Sequence, residues 1–337
     1  MTLKSLFCSP AVVLLLSSCS HDPLDVNASQ QDLALQFVNM DSVLVNSDST
    51  SFIATHNNWK QTMPDIYNYQ LGYCLQLPQL SAEETYIRIK TFRSDDYIKS
   101  LENEISTIFT RKRLTEFEEQ VIEGFKRLKY HCPDQQIPEK IIFLNSLYAS
   151  NVFCTEKEIG VGLERYLGSK SKSIEALPEQ EFYDWIKEAM DEKFLVRDIF
   201  TGWISTHFMD EPKGSLIEQV IHWGKIIYLT EAAIPDASKH LIMRYEENDL
   251  EWAMKNEFGF WKYLVNEKLL FKIDELNIIN MLKEGPFTPG LPERGPDRLG
   301  QYLGWQMVKQ YVESKEVPLK ELSDIPYNDI LQNYEIE

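Results

Sequence analysis

Apolar positions recur on helical spacing through most of the chain, with one interruption near its middle. Leu33, Leu35 and Phe37 alternate and predict a short strand. From about residue 50 to 130 the period is helical: TSFIATHNNW and MPDIYNYQLGYCLQL each carry one apolar face. SAEETYIRIKTF and SDDYIKSLENEISTIF both open on Ser followed by acids, a composition that suits a helix N-terminus. Phe117, Val121, Phe125 and Leu128 then form a core stripe, ended by Pro133 and Pro138. IIFLNSLYA and NVFCTEKEIGVGLERYL are rich in β-branched and aromatic residues and predict two or three strands of one small sheet. Helical period returns in LPEQEFYDWIKEAM, FLVRDIFTGWISTHF, GSLIEQVIHWGKIIYLTE, RYEENDLEWAMKNEFGFWKYLVNEKLLF and DELNIINMLKEG. A Pro/Gly loop, GPFTPGLPERGP, leads into a last long helix, DRLGQYLGWQMVKQYVES. The class is α+β, predominantly helical, with one small β-sheet.

The N-terminus follows another logic. Lys4 precedes the apolar run AVVLLLSSCS, too short to span a membrane comfortably as a mature helix and flanked as a secretory signal is. Leu16-Ser17-Ser18-Cys19 resembles a bacterial lipobox, in which the cysteine thiol is acylated and becomes the new N-terminus. The expected division is a signal peptide over 1–18, lipidated Cys19 with a polar tether over 19–30, and a single domain over 31–337. Ser20 lacks the acidic character of an inner-membrane retention signal, which favours the outer membrane. Cys74, Cys132 and Cys154 remain, so one disulfide is possible, and no CxxC pair points to zinc or redox chemistry. The formal charge of -18 argues against nucleic acid as a partner, because phosphate binding needs a positive surface.

Three predicted helices carry residues that bear on chemistry. In the helix over 214–231, Leu216, Val220, Trp223 and Ile227 form one stripe, and Ile217, Ile221, Gly224 and Tyr228 an adjacent one, which predicts deep burial. Glu218, His222 and Lys225 share the remaining arc. A zinc peptidase would place two ligands four residues apart on such a helix, with a Glu as general base between paired histidines. The six histidines here include no two that lie four apart, and none is followed by Glu. In the next helix Glu257 interrupts the apolar positions Leu250, Met254, Trp261 and Leu264. A buried carboxylate needs a partner, and Arg298 or Arg294 of the last loop is the expected one. Gly300 and Gly304, four apart, predict close packing of the final helix on a neighbouring backbone.

With these residues in view, the chain resembles the gliding-motility lipoprotein GldB family. The likeness is carried by GVGLERYLG at 160–168, VIHWGKIIYLTEAAIPD at 220–236, the W-x-x-x-N-E-x-x-x-W pattern from Trp252 to Trp261, and GPFTPGLPERGPDRLGQYLGWQMVKQYV at 285–312. MPDIYNYQLGYCL at 63–75 adds a weaker match. The resemblance implies an envelope lipoprotein, anchored to membrane at Cys19, that works with other envelope or motility proteins and has no enzymatic activity, metal or cofactor. It also implies a zincin-like body in which Glu218, His222 and Glu257 mark a vestigial centre. The rival reading is a zinc-dependent hydrolase that uses those three residues.

Overall fold

The computed structural model describes residues 23–77, 79–291 and 294–336, so the expected signal peptide and Cys19 lie outside the described residues. Four strands form one sheet: β1 (Gln36–Asn39), β2 (Lys140–Leu144), β3 (Val152–Cys154) and β4 (Glu158–Gly162). Their order is β1-β2-β4-β3. β1/β2 and β2/β4 are parallel, while β3 closes one edge antiparallel to β4. The first strand begins later than the alternation of Leu33, Leu35 and Phe37 suggests. Its ladder starts where Gln36 meets Lys140, and the two leucines pack beside the core just before it.

Period-two alternation in β2 sorts the core into two layers. Ile142 and Leu144 join a cluster with Met40, Phe52, Trp59, Ile66 and Ile89. These come from α1 (Met40–Asn46), α2 (Ser49–Thr62), α3 (Pro64–Asn68) and α4 (Ala82–Phe92). Ile141 and Phe143 face the larger cluster. It takes its side chains chiefly from α5 (Asp96–Ile108), α6 (Arg111–His131), α9 (Leu195–His207), α10 (Leu216–Ala233) and α14 (Leu299–Lys315). Shorter helices lie between and beyond: α7 (Lys172–Glu175), α8 (Asp184–Glu188), α11 (Lys239–Met243), α13 (Glu275–Leu282) and α15 (Tyr327–Asn333), with the long α12 (Glu247–Asn266) after α11. The predominantly helical α+β class thus holds. No helix of the described residues is long and apolar enough to cross a membrane.

Two sequence signals translate directly into packing. A side chain at Gly304 would overlap the carbonyl of Val220, and one at Gly224 would overlap the Gly304 backbone. The two helices therefore touch backbone to backbone, as the spacing of Gly300 and Gly304 predicts. Glu164, from the 160–168 segment, is buried and accepts bonds from the backbone N–H groups of Ser146 (3.1 Å) and Tyr148 (2.9 Å). It fixes the loop after β2, where Leu147 and Tyr148 both hold positive φ (53° and 64°).

Other expectations need correction. Residues 23–30 are not all free tether. Leu24 and Ala28 are buried, and the Val26 and Asp32 carbonyls accept bonds from Arg127 and Lys129 of α6. Cys74, Cys132 and Cys154 are free thiols, each pushed up to about 12 by burial. LPEQEFYDWIKEAM supplies only the short α8, because Glu181 and Phe182 turn back onto the Pro178 carbonyl. Met254 is exposed rather than part of the α12 stripe, whose buried members are Ala253, Phe260 and Leu264.

Candidate functional site

The helix that raised the metal question is α10, and its first turn is a capping box. The Ser215 backbone N–H (2.6 Å) and hydroxyl (2.7 Å) both donate to the Glu218 carboxylate. This S-x-x-E arrangement satisfies donors that the helix start would otherwise leave orphaned. Glu218 is therefore a helix cap. One turn on, His222 is half-buried and lines a polar cavity of about 460 Å³ with His207, Asp210, Lys225 and Asp324. Burial, reinforced by Lys225 and opposed by Asp210, holds its imidazole below the ordinary histidine range, so it stays neutral near pH 7. Lys225 is buried and is pushed down to about 8 by burial, with Asp324 opposing. Its ammonium donates to the carbonyls of Ser323 (3.1 Å) and Ile325 (2.6 Å), pinning the C-terminal segment onto α10. The second nearby histidine is committed as well, its Nε2 lying 2.9 Å from the Thr155 carbonyl oxygen. Glu218, His222 and Lys225 thus share one cavity, as their common arc predicts. Among the described residues no group of three or more His, Cys, Asp or Glu is arranged to hold a metal ion.

Glu257 lies elsewhere and has partners other than those expected. Tyr302 of α14 donates to one carboxylate oxygen (2.5 Å), and Tyr334, just after α15, donates to the other (2.7 Å). Two phenols satisfy the charge where a guanidinium was predicted. Arg294 instead stands exposed, its guanidinium 4.9 Å from the Phe287 ring centroid. Arg298 belongs to a different assembly altogether.

That assembly is a buried network that periodicity could not reveal. Asp198 of α9 accepts from Tyr166 (3.0 Å), Arg197 (3.2 Å) and Arg244 (3.1 Å). Arg244 also donates to Glu284 (2.7 Å) and to the Ala189 carbonyl (3.0 Å). Arg298 donates to Asp297 (3.0 Å) and to the carbonyls of Met243 (3.2 Å) and Arg244 (2.9 Å). Three guanidinium groups are thus balanced by three carboxylates, and the arginine donors are tied to carboxylate or backbone oxygens. Arg244 and Arg298 both adopt left-handed backbone, at φ 56° and 50°. Non-glycine residues hold that conformation when their surroundings fix them there. Burial opposes the charge on Glu284, but Arg244 and Arg298 outweigh it and keep its carboxyl below the usual range.

Glu284 is the most open of the six, with 46% of its side chain accessible, and it faces a cleft of about 510 Å³. Trp185, Trp252 and Tyr245 supply aromatic wall, and Asp249 and Arg294 stand at its margin. Trp252 packs against Gly295, where any side chain would collide with the indole. The first tryptophan of the W-x-x-x-N-E-x-x-x-W pattern and the glycine of the last loop therefore shape one surface. The chain is thus an α+β protein whose long-range motifs meet in a neutral, arginine-rich network beneath an aromatic cleft. The model for the family described as gliding motility protein GldB matches residues 21–335, and the chain belongs to that family. No curated protein and no solved structure matches the chain.

Proposed function

We propose that the protein is a lipid-anchored, non-enzymatic component of the gliding or associated envelope machinery, held at Cys19 on the outer membrane, with a degenerate zincin-like body that works by engaging other envelope proteins. One observation carries the non-enzymatic part. The two carboxylates that a hydrolytic centre would need are both engaged in holding the fold, Glu218 through Oε2 in the α10 cap and Glu257 through both oxygens on two tyrosine hydroxyls. A carboxylate that accepts such bonds is a poor base and a poor metal ligand until they break. The aromatic cleft above the arginine network is the surface offered to partners.

Metal analysis of protein purified without chelator tests the reading. We expect zinc well below one ion per chain. Stoichiometric zinc that disappears in His222→Ala would overturn it in favour of the hydrolase. Cys19→Ser should move the protein from membrane to soluble fractions, and a variant that still pellets with lipid would rule out the anchor. Crosslinking the lipidated protein in its own envelope should then capture partners that Trp252→Ala loses.

A further inference from the structure

We propose that the outer face of α12 and the edge that follows it form a contact surface for anionic lipid. Large apolar side chains stand in water there in unusual density. Met254, Phe258 and Val265 are 61%, 51% and 44% exposed, and Phe271, Ile273 and Leu276 are 66%, 78% and 66% exposed. On α12 the first three fall at i, i+4 and i+11 and so share one side of the helix. Isolated exposed hydrophobes need no explanation, but six between residues 254 and 276 do.

Slack chain does not account for them. The carbonyls of Leu270 and Lys272 accept bonds from the first N–H groups of α10, at Ile217 (2.9 Å) and Leu216 (2.8 Å). Those donors would otherwise be orphaned at the helix start. The edge is thus fixed along its backbone, with Leu269 and Leu270 turned inward while Phe271 and Ile273 point out.

Charge selects the occupant. The chain as a whole carries -18, yet from Met254 to Leu276, the span of the six, the lysines 255, 262, 268 and 272 equal in number Glu257, Glu267, Asp274 and Glu275. Glu257 is turned onto Tyr302 and Tyr334, Asp274 caps α13 through the Asn277 N–H, and Lys255 pairs with Glu251, which leaves lysines 262, 268 and 272 against Glu267 and Glu275. Lys262 sits 5.5 Å over the Phe258 ring, an ammonium beside an apolar face. Exposed aromatic and aliphatic groups interleaved with lysines match the interface of a bilayer that carries anionic headgroups. An anchor at Cys19 would keep such a surface close at hand, but the chemistry of the patch does not depend on it.

The test uses the chain from Ser20 onward, which keeps every described residue and carries no lipid, so a failed anchor and a failed patch are read separately. It should sediment with vesicles of phosphatidylethanolamine and phosphatidylglycerol and much less with phosphatidylcholine alone. Phe271→Ser with Ile273→Ser should lower the partition about tenfold or more. Lys268→Glu with Lys272→Glu should lower it too and flatten its salt dependence. Ile87→Ser with Tyr97→Ser, exposed apolar positions on α4 and α5, should leave it unchanged. The proposal falls if the chain ignores anionic vesicles or if the Phe271/Ile273 variant binds as the parent does. It also falls if that variant instead turns a dimer in solution into a monomer, which would assign the surface to a second copy of the chain.

Discussion

Replacing Glu257 by Ala removes the acceptor that ties α12 to α14 through Tyr302 and to the chain end beyond α15 through Tyr334. Hydrogen bonds to a charged group contribute about 1.5–3 kcal/mol each when shielded. Both bonds here are part-buried, which places each near the lower end. The loss should therefore come to about 2–3 kcal/mol, read as a lower urea midpoint with an unchanged slope. Tyr334→Phe alone should cost about 1–1.5 kcal/mol. Its ring still packs edge-on against Trp261, at 5.6 Å between centroids. In the double variant the two losses should overlap by about 1 kcal/mol, because one bond cannot be removed twice. Combined with Arg294→Ala, by contrast, the effects should simply add, since that guanidinium lies over Phe287. A Glu257→Ala midpoint equal to the parent's, or coupling to Arg294 in place of Tyr334, would refute the assignment of the tyrosines as partners.

Two further predictions set the folded backbone and the pH dependence against the same assay. Gly304→Ala should destabilise by about 3 kcal/mol, because a methyl group there meets the Val220 carbonyl. Gly259→Ala, with open space around the new carbon and a helical site, should instead stabilise by about 0.5–1 kcal/mol; a loss at both positions would show that the α10–α14 contact is not special. Asp41 is half-exposed as a residue, but its Oδ2 is buried without a partner, as is Oε1 of Gln70, which lines the same small cavity. Burial above all raises its carboxyl to about 7, with Glu164 and Glu102 adding to the effect and the Asn145 N–H and Arg93 opposing it. The folded value lies above the unfolded one, so this stability is present below about pH 4 and is lost as pH rises through 7. Asp41→Asn should raise the urea midpoint at pH 8 and match the parent near pH 4; equal midpoints at pH 8 would overturn the argument.

Local signals made the helices easy to read. The acids after Ser81 and Ser94 in sequence correspond to real starts, with Ser81 and Glu84 forming a complete capping box and Asp95 capping α5. The same signal was available at Ser215 and Glu218, and it is the better explanation of Glu218 than ligand spacing is. A Glu three residues after a Ser N-cap finds its donors within its own helical turn and needs no long-range partner. The sheet was harder to read. β1 pairs with β2 across about a hundred residues, and β2 and β4, covered on both faces, carry no alternating polar side to mark their ends.

Contacts across long sequence separations explain what the pattern missed at the site. A carboxylate set among the apolar positions of α12 announces that it needs a partner, but phenols and guanidinium groups meet that need equally well in principle. Which arrives is decided by how α14 and α15 pack, and Gly224 against Gly304 sets that packing. Drawing α14 in against α10 brings Tyr302 to Glu257, while Arg298, at the start of the same helix, reaches the carbonyls of Met243 and Arg244. The glycine pair thus holds apart two groups that the sequence invites one to join. It follows that Gly304→Ala should disturb both together, loosening the Tyr302 contact and the seat of Arg298 beneath the cleft. Amide hydrogen exchange should register this as faster exchange in α12 and around Arg244 in that variant, with the sheet unaffected. Faster exchange confined to α14 would mean that the two sites are positioned independently.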